Sequence, residues 1–137
     1  MKGIKFSVVE VPIDSIRPYP GNPRKTEAAV KPVAESIRQF GFRQPIVVDG
    51  ENVIVVGWVR HLAALELGLK TVPVHIAADL TPGQAKAFRI ADNRTGEYSA
   101  WDPELLSVEL EALTNFDPDI TDLIFPNLED LPGWEPI

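Results

Sequence analysis

The sequence pattern changes at a single glycine in the stretch Val53-Ile54-Val55-Val56-Gly57-Trp58-Val59-Arg60-His61. A run of β-branched residues precedes this glycine, and a helical pattern follows it. A short apolar run of this composition predicts a buried strand. Leucines among small alanines over residues 58–67 predict a helix, and Gly68 is placed to cap it. The chain is therefore expected to pass directly from a sheet into a helix at Gly57.

The predicted helix start at Gly57 is a candidate anion site. The first N–H groups of a helix have no partner inside it, and the helix dipole is positive at that end, so such ends bind phosphate. Gly57 is expected to let a ligand approach the backbone closely, and the Arg60 guanidinium can grip two phosphate oxygens. His61 lies in the same first turn. The alternative, which the short pattern alone favours, is a tight turn followed by an ordinary surface arginine.

The remaining patterns predict a small mixed sheet and a helical C-terminal half. β-branched runs predict strands at residues 8–13, 45–48, 53–56 and 72–76. Helical spacing predicts helices near residues 30–40, 58–67 and 102–113, and a helical turn near 120–125. A further helix covers residues 85–91 and is opened by Thr81-Pro82-Gly83-Gln84, with Thr81 as N-cap, Pro82 at the first position and Gln84 three residues after the cap. Asp102-Pro103 opens the helix that follows it. Asp49-Gly50 indicates a hairpin, and Pro12 indicates an edge strand or a strand end. Pro32 is expected in the first turn of its helix, because its ring clashes deeper in a helix.

These elements together predict an α/β (α+β) fold. Residues 1–95 are expected to form the main domain. Residues 96–137 are expected to form an acidic helical extension packed on it, which ends in an irregular tail.

Composition limits the classes of function. The 137 residues are 45% apolar, as in globular proteins. The chain has no cysteine, which excludes a disulfide framework, a thiolate zinc site and a cysteine nucleophile. No apolar run reaches the roughly 20 residues that a membrane span needs, and the first residues lack the features of a signal peptide. We therefore expect a cytoplasmic location and no membrane partner.

Charge is divided unevenly along the chain. All 13 Lys and Arg lie in residues 1–94, against 9 Asp and Glu there, whereas residues 95–137 hold 11 acids and no base. The acidic segment is either a solvated flank or a surface that docks a basic partner or covers the basic face. With a net charge of −7, a free, strongly basic DNA-binding surface is not predicted.

Two further segments carry candidate ligands for an anion or a metal ion. Arg43 and Gln44 stand at the start of a strand, where they can contact a nucleotide; the alternative is a solvated loop. Asp92-Asn93-Arg94 closes a helix, and its oxygens suit a magnesium ion that also touches phosphate; the alternative is a polar helix terminus. His61 and His75 lack metal-ligand spacing, so no zinc site is predicted. No catalytic residue can be assigned from the sequence.

In order and spacing, these pieces resemble the ParB-like nuclease domain family, which shares its fold with sulfiredoxin. The matching segments lie within residues 8–94 and are Asn22-Pro23-Arg24, Ala34-Glu35-Ser36-Ile37, Gly41-Phe42-Arg43-Gln44-Pro45-Ile46-Val47-Val48, residues 54–64, Leu67-Gly68, Val72-Pro73-Val74 and Ala91-Asp92-Asn93-Arg94. The stretch from Leu80 to Trp101-Asp102 is most similar to the ParB-like domains that occur with phage or plasmid DNA methylases. The resemblance implies a ParB/sulfiredoxin-like fold.

The resemblance also implies a nucleoside triphosphate, CTP or ATP, bound with Mg²⁺ across three patches. Its phosphates would lie at the glycine turn, which comprises Gly57, Trp58, Val59, Arg60 and His61. The nucleotide would be lined by Gly41, Arg43, Gln44 and Pro45. The phosphates would also contact Asn93 and Arg94, and the metal ion would be held by Asp92 and Asn93.

Two departures separate this chain from the better-known members. Partitioning members carry Glu-Arg where this chain has Trp58-Val59, so one phosphate-gripping charge and one acidic group are missing. Sulfiredoxin has its reactive cysteine at the position of Trp58, which excludes that activity. Trp58 is expected to be either a core filler or a stacking surface for a base. No helix-turn-helix domain is predicted after residue 94, so sequence-specific DNA binding by this chain alone is not expected.

The leading hypothesis is a nucleotide-binding module that acts in DNA transactions, in partition or as an accessory to DNA modification. The first alternative is a metal-dependent nuclease or nucleotide hydrolase. The second is a protein-interaction module with a vestigial pocket, suggested by the acidic segment and Trp134. The sequence predicts neither the oligomeric state nor the identity of the nucleotide.

Overall fold

Two compact units make up the computed structural model, and they divide between Thr95 and Gly96. The structure describes residues 3–4, 6–23 and 25–125, and for Leu123 the backbone only. The predicted irregular tail therefore lies almost wholly outside the described residues. That the C-terminal extension packs on the main domain stays a prediction.

A four-stranded mixed sheet organises the first unit. Its strands are β1 (Val9–Pro12), β2 (Ile46–Asp49), β3 (Ile54–Val56) and β4 (Thr71–Ala77). The order across the sheet is β1-β4-β2-β3. The central pair β2 and β4 is parallel, whereas β1 pairs with β4 and β3 pairs with β2 in antiparallel fashion. This arrangement confirms the small mixed sheet, the hairpin and the position of Pro12 at the end of an edge strand.

Five α-helices and one short 3-10 helix (Ile13–Ser15) accompany the sheet within the described ranges. The α-helices are α1 (Glu27–Phe40), α2 (Trp58–Glu66), α3 (Pro82–Gly96), α4 (Pro103–Phe116) and α5 (Pro118–Ile124). α1 packs against α2 in the first unit, and α4 packs against α5 in the second. The predicted α/β (α+β) class is confirmed. None of these helices combines the length and the apolar character needed to cross a bilayer.

Side-chain caps explain why α3 and α4 begin where they do. The Gln84 amide N–H donates to Thr81 Oγ1 (3.2 Å), and the Thr81 N–H donates to Gln84 Oε1 (2.9 Å), which forms a reciprocal capping box. At α4, the Leu105 N–H donates to Asp102 Oδ1 (3.1 Å). Both helix starts agree with the sequence prediction. α3 extends beyond the predicted 85–91 and ends only at Gly96.

The core of the first unit lies between the sheet and the helices that flank it. Its completely buried large side chains come from the two central strands and are Ile46, Val48, Val72 and Val74. Ile13, Ile16, Ile54 and Ala64 complete the cluster, with Trp58 packed against its edge. The core interpretation of Trp58 is therefore supported.

The position of Pro32 differs from the prediction. α1 begins at Glu27, so Pro32 stands inside the helix and not in its first turn. A proline there lacks the N–H that would bond the carbonyl of Ala28, and its ring crowds that carbonyl. Ala28, Ala29 and Pro32 are all exposed, so water can solvate the backbone groups that lose their partners. Periodicity over residues 30–40 could not show that the helix starts one turn earlier on a solvated face.

Replacing Pro32 should stabilise the protein. Pro32→Ala restores a helical N–H and removes the ring clash, and we expect the free energy of unfolding to rise by about 1–2 kcal/mol after the gain in unfolded-state entropy is deducted. Pro82→Ala is the matched control, because Pro82 is the first residue of α3, where the N–H has no helical partner in any case. Urea denaturation of both variants measures the effect. Equal changes in the two would contradict the strain assigned to Pro32.

Candidate functional site

The β3–α2 junction presents free backbone N–H groups. β3 ends at Val56, α2 begins at Trp58, and Gly57 between them has a left-handed φ of 102°. The first N–H to bond within the helix is that of His61, which donates to the Gly57 carbonyl (3.0 Å). The N–H groups of Trp58, Val59 and Arg60 precede it, and no side chain caps this end. The junction is therefore the helix start that the sequence predicted.

The reason for a glycine at position 57 differs from the expectation. A Cβ at Gly57 would lie 3.2 Å from Ile46 Cγ1 and 3.3 Å from Ile46 Cα, in a backbone conformation that side chains rarely adopt. The face that lacks a side chain is thus turned toward β2 and not toward a ligand. Close packing of the turn on the sheet requires the glycine, and the expected close approach of a ligand does not explain it.

A cavity of about 200 Å³ opens beside this junction. Its wall combines the end of β3, the first turn of α2, the loop that carries Tyr19 and one face of α3. Six of the predicted site residues line it, namely Gly57, Trp58, Val59, Arg60, Asp92 and Asn93. Two of the three predicted patches therefore meet in one cavity, which we call the junction cavity.

Arg60 connects the junction cavity to the third patch. A neighbouring cavity of about 220 Å³ is lined by Gly41, Arg43, Gln44 and Arg60. The Arg60 guanidinium donates to Gln44 Oε1, so it joins the two cavities. Arg43, in contrast to Arg60, bonds the backbone: its Nε donates to the Phe40 carbonyl at the end of α1 (2.8 Å).

Three predicted site residues lie outside these two cavities. Pro45 and the exposed Arg94 line neither of them. His61 is buried, its ring stacks on that of Trp58 with a centroid distance of 5.4 Å, and its Nδ1 has no hydrogen-bond partner. Burial lowers the pKa of His61, because desolvation disfavours the imidazolium. The same desolvation disfavours the charged form that would attract phosphate, so the structure gives no support to His61 as a phosphate ligand.

The metal-binding prediction rests on a small set of oxygens. Asn93 Nδ2 donates to the Arg89 carbonyl (3.0 Å), which leaves its amide oxygen for another partner, and Asp92 is exposed at the rim of the junction cavity. Within the described ranges, no three His, Cys, Asp or Glu residues are grouped to hold a metal ion. Mg²⁺ commonly binds one or two carboxylates together with substrate phosphates and water. The two oxygens fit that mode, in which the phosphates supply further ligands.

Sequence reasoning missed two residues of the junction cavity, Arg89 and Tyr19. Arg89 is only 7% exposed, and its Nε donates to the Ile54 carbonyl (3.1 Å). Its guanidinium carbon lies 3.7 Å from the centroid of the Tyr19 ring. Helical spacing places Arg89 on the same face of α3 as Asn93, four residues later, and this signal could have found it. Nothing in the sequence indicates that the loop brings Tyr19 over it.

The fold and the junction cavity define a ParB-type domain. The sequence model of the ParB N-terminal domain matches residues 2–93, and the chain belongs to this family. The predicted resemblance is thereby confirmed, while the methylase-associated branch stays a prediction.

Individual relatives agree with this assignment. The chromosome-partitioning protein Spo0J of Thermus thermophilus is 41% identical over 92 residues, which are 63% of this chain and 34% of that protein. The ParB-like nuclease domain-containing protein YnaK of Escherichia coli is 35% identical over 81 residues, 58% of this chain and 93% of that protein. The chain thus spans about a third of the partitioning protein and nearly all of YnaK.

A solved structure extends the likeness further along the chain. The C-terminally truncated ParB of Caulobacter crescentus, crystallised with CTP-gamma-S, superposes with a TM-score of 0.72 and 27% identity. The superposition covers 86% of this chain and 70% of that one.

Substitution of Gly57 should destabilise the fold before any ligand is considered. Gly57→Ala combines a strained φ with a contact against Ile46, and we expect a loss of about 1–3 kcal/mol in the free energy of unfolding. Gly83→Ala is the control, because Gly83 lies in α3 with open space around its Cβ position. The free energy of unfolding of Gly83→Ala should rise by up to about 1 kcal/mol, because alanine favours a helix more than glycine does. Thermal or urea unfolding tests both, and unchanged stability of Gly57→Ala would refute the packing explanation.

His61 should make stability depend on pH. Because its folded pKa is lowered, the unfolded chain takes up the proton more readily, and the free energy of unfolding falls as the pH drops below the usual histidine value of about 6.5. This decrease ends below the folded pKa. His61→Phe keeps a ring against Trp58 but cannot titrate, so its loss of stability between about pH 7.5 and about pH 5 should be smaller. An equal loss in both proteins would contradict this origin.

Proposed function

We propose that this chain binds a nucleoside triphosphate, with CTP the first candidate, through phosphates held at the Gly57 turn, and that it acts in DNA transactions such as partition. The observation that carries the proposal is the junction cavity, where unpaired helix N–H groups, Arg60 and the Asp92–Asn93 pair line one space. The likeness to a ParB crystallised with CTP-gamma-S supports the choice of nucleotide.

Each group at the junction has a distinct task in this proposal. The N–H groups of Trp58, Val59 and Arg60 would donate to phosphate oxygens, assisted by the positive end of the helix dipole. The Arg60 guanidinium would turn part of its hydrogen bonding from Gln44 to a phosphate. Asp92 and Asn93 would hold a Mg²⁺ ion, which would reduce the negative charge of the triphosphate.

The nucleoside would lie toward the neighbouring cavity. Arg60 lines both cavities, so a ligand whose phosphates contact Arg60 can extend its sugar and base toward Gly41 and Gln44. Gln44 has an amide that can both donate to and accept from a base. Discrimination among bases would therefore depend on which way the Gln44 amide faces once Arg60 has partly released it.

The role in DNA transactions rests on family membership and on charge. Residues 1–94 carry a net positive charge, with 13 basic against 9 acidic residues, which is compatible with contacts to a phosphate backbone. The relative Spo0J bears the name of a chromosome-partitioning protein. No base-reading element is assigned to this chain.

No observation favours the two alternative functions. For the nuclease or hydrolase, Trp58 and Val59 bring neither an acid nor a base to the junction cavity. For the protein-interaction module, Trp134 and most of the tail lie outside the described residues. Both alternatives stay predictions.

Removal of the Arg60 guanidinium should weaken nucleotide binding. With CTP and ATP titrated by calorimetry in the presence of Mg²⁺, we expect Arg60→Gln to raise the Kd about tenfold or more, the effect of losing a charge-assisted hydrogen bond. Arg38→Gln is the matched control, because Arg38 is exposed on α1, pairs with Glu35 and lines neither cavity. A wild-type protein that binds no nucleotide, or equal losses in both variants, would refute the proposal.

A further inference from the structure

We propose that Arg89 is a second anion-binding residue of the junction cavity, a buried guanidinium held ready by Ile54 and Tyr19 to contact the polyphosphate of a nucleotide. This inference rests on the proposed nucleotide function and adds to it a residue and a ligand group. It explains three observations on Arg89: its burial, its orientation and its lack of an acidic partner among the described residues.

The burial of Arg89 is unusual for a charged side chain. Arginine is seldom fully buried unless it is paired, because removing a cation from water is costly. Arg89 is 7% exposed, and no carboxylate forms an ion pair with it in the part of the chain that the structure describes. The two partners that the structure does show are a neutral carbonyl and an aromatic ring. An anion in the cavity would supply the missing countercharge.

The contacts of Arg89 leave most of its donors free. A guanidinium has five N–H donors in one plane, and the bond from Nε to the Ile54 carbonyl uses one of them. Tyr19 covers a face of the group at 3.7 Å, and stacking of this kind does not use the in-plane donors. The four N–H bonds on the two terminal nitrogens have no protein partner among the described residues and remain for a ligand. Two parallel N–H groups match two oxygens of a phosphate.

Arg89 is fixed relative to the helix start of α2. Its Nε bonds the carbonyl of Ile54 in β3, and β3 runs directly into the Gly57 turn. The carbonyl of Arg89 in turn accepts the Asn93 amide, which also lines the cavity. Arg89 and Tyr19 line the same space as Gly57 and Arg60. The wall of the cavity thus combines a helix N-terminus with an independent, buried cation.

A polyphosphate fits this set of groups better than a single phosphate. Arg60 and Arg89 come from different helices, and three backbone N–H groups lie in the first turn of α2. One phosphate group offers few oxygens for that many donors, whereas a di- or triphosphate presents several in a row. Asp92 at the same cavity would repel a bare polyphosphate unless a divalent cation lies between them.

A purely structural role for Arg89 makes a different prediction. If Arg89 served only to tie β3 to the Tyr19 loop, its replacement would lower the melting temperature without a specific effect on anion affinity. The anion-binding role predicts a loss of affinity for inorganic tripolyphosphate, a probe that has no sugar or base. It also predicts that this loss of affinity persists at the higher salt concentration, because a buried ion pair is screened much less than an exposed one.

The test compares wild type, Arg89→Gln, Arg60→Gln and the surface control Arg38→Gln. Calorimetric titration with tripolyphosphate and with CTP, each with Mg²⁺ and at two salt concentrations, should show a Kd raised about tenfold by Arg89→Gln and unchanged by Arg38→Gln. Circular dichroism establishes whether each variant is folded.

If Arg89→Gln does not fold, the wild type itself tests whether Arg89 binds the anion. The measurement is the side-chain NMR signals of Arg89, assigned by comparison with Arg89→Lys. They should shift on addition of tripolyphosphate.

The outcomes separate this inference from the proposed function. If Arg60→Gln loses affinity while Arg89→Gln keeps it, or if the Arg89 signals do not respond, Arg89 is structural and the nucleotide function stands. If tripolyphosphate binds in an Arg89-dependent way but CTP binds no more tightly, the anion site stands and the nucleotide function fails. A wild type that binds neither ligand overturns both.

Discussion

The contact between Gly57 and Ile46 is the constraint on which the candidate site depends. Ile46 is completely buried and pairs across the central strands with Val74, so it cannot yield space. The chain must therefore turn out of β3 with no side chain at position 57 and with a positive φ. That geometry starts α2 at once, before any side chain can cap it. The exposed helix N–H groups thus follow from a packing demand of the sheet.

The sequence could predict those parts of the site that depend on local patterns along the chain. Strand-to-helix periodicity, the hairpin signal and the Thr81–Gln84 capping box are local patterns, and each corresponds to an observed element. The Gly57 turn belongs to this class, because the change from a strand pattern to a helical one occurs at a single residue. The packing reason for its glycine could not be predicted, since the contact joins the turn to Ile46 of β2, which is eleven residues earlier in the chain.

Features that depend on tertiary contacts were beyond the reach of sequence patterns. The pairing of Arg89 with Tyr19 joins a helix to an irregular loop 70 residues earlier in the chain, and no periodicity connects them. His61 was assigned to the anion site because it lies in the first turn of α2, yet its side chain is buried and its ring stacks on Trp58. The position of Pro32 in its helix was predicted wrongly for a local reason. The first turn of α1 is exposed, so no apolar pattern marks where the helix starts.

The two arginines of the junction cavity would contribute in different ways. Arg60 is partly exposed and already bonds Gln44, so a phosphate must compete with a neutral amide for it. A phosphate is negatively charged and can accept two parallel N–H bonds from the guanidinium, whereas the Gln44 amide oxygen is neutral, which favours the phosphate and would release Gln44 toward the neighbouring cavity. Phosphate binding in one cavity would then alter the hydrogen-bonding groups offered to a base in the other. Arg89 has no such competing side chain among the described residues, and its burial shields it from salt. A buried, preoriented cation mainly slows dissociation, whereas a more exposed one mainly speeds the approach of an anion.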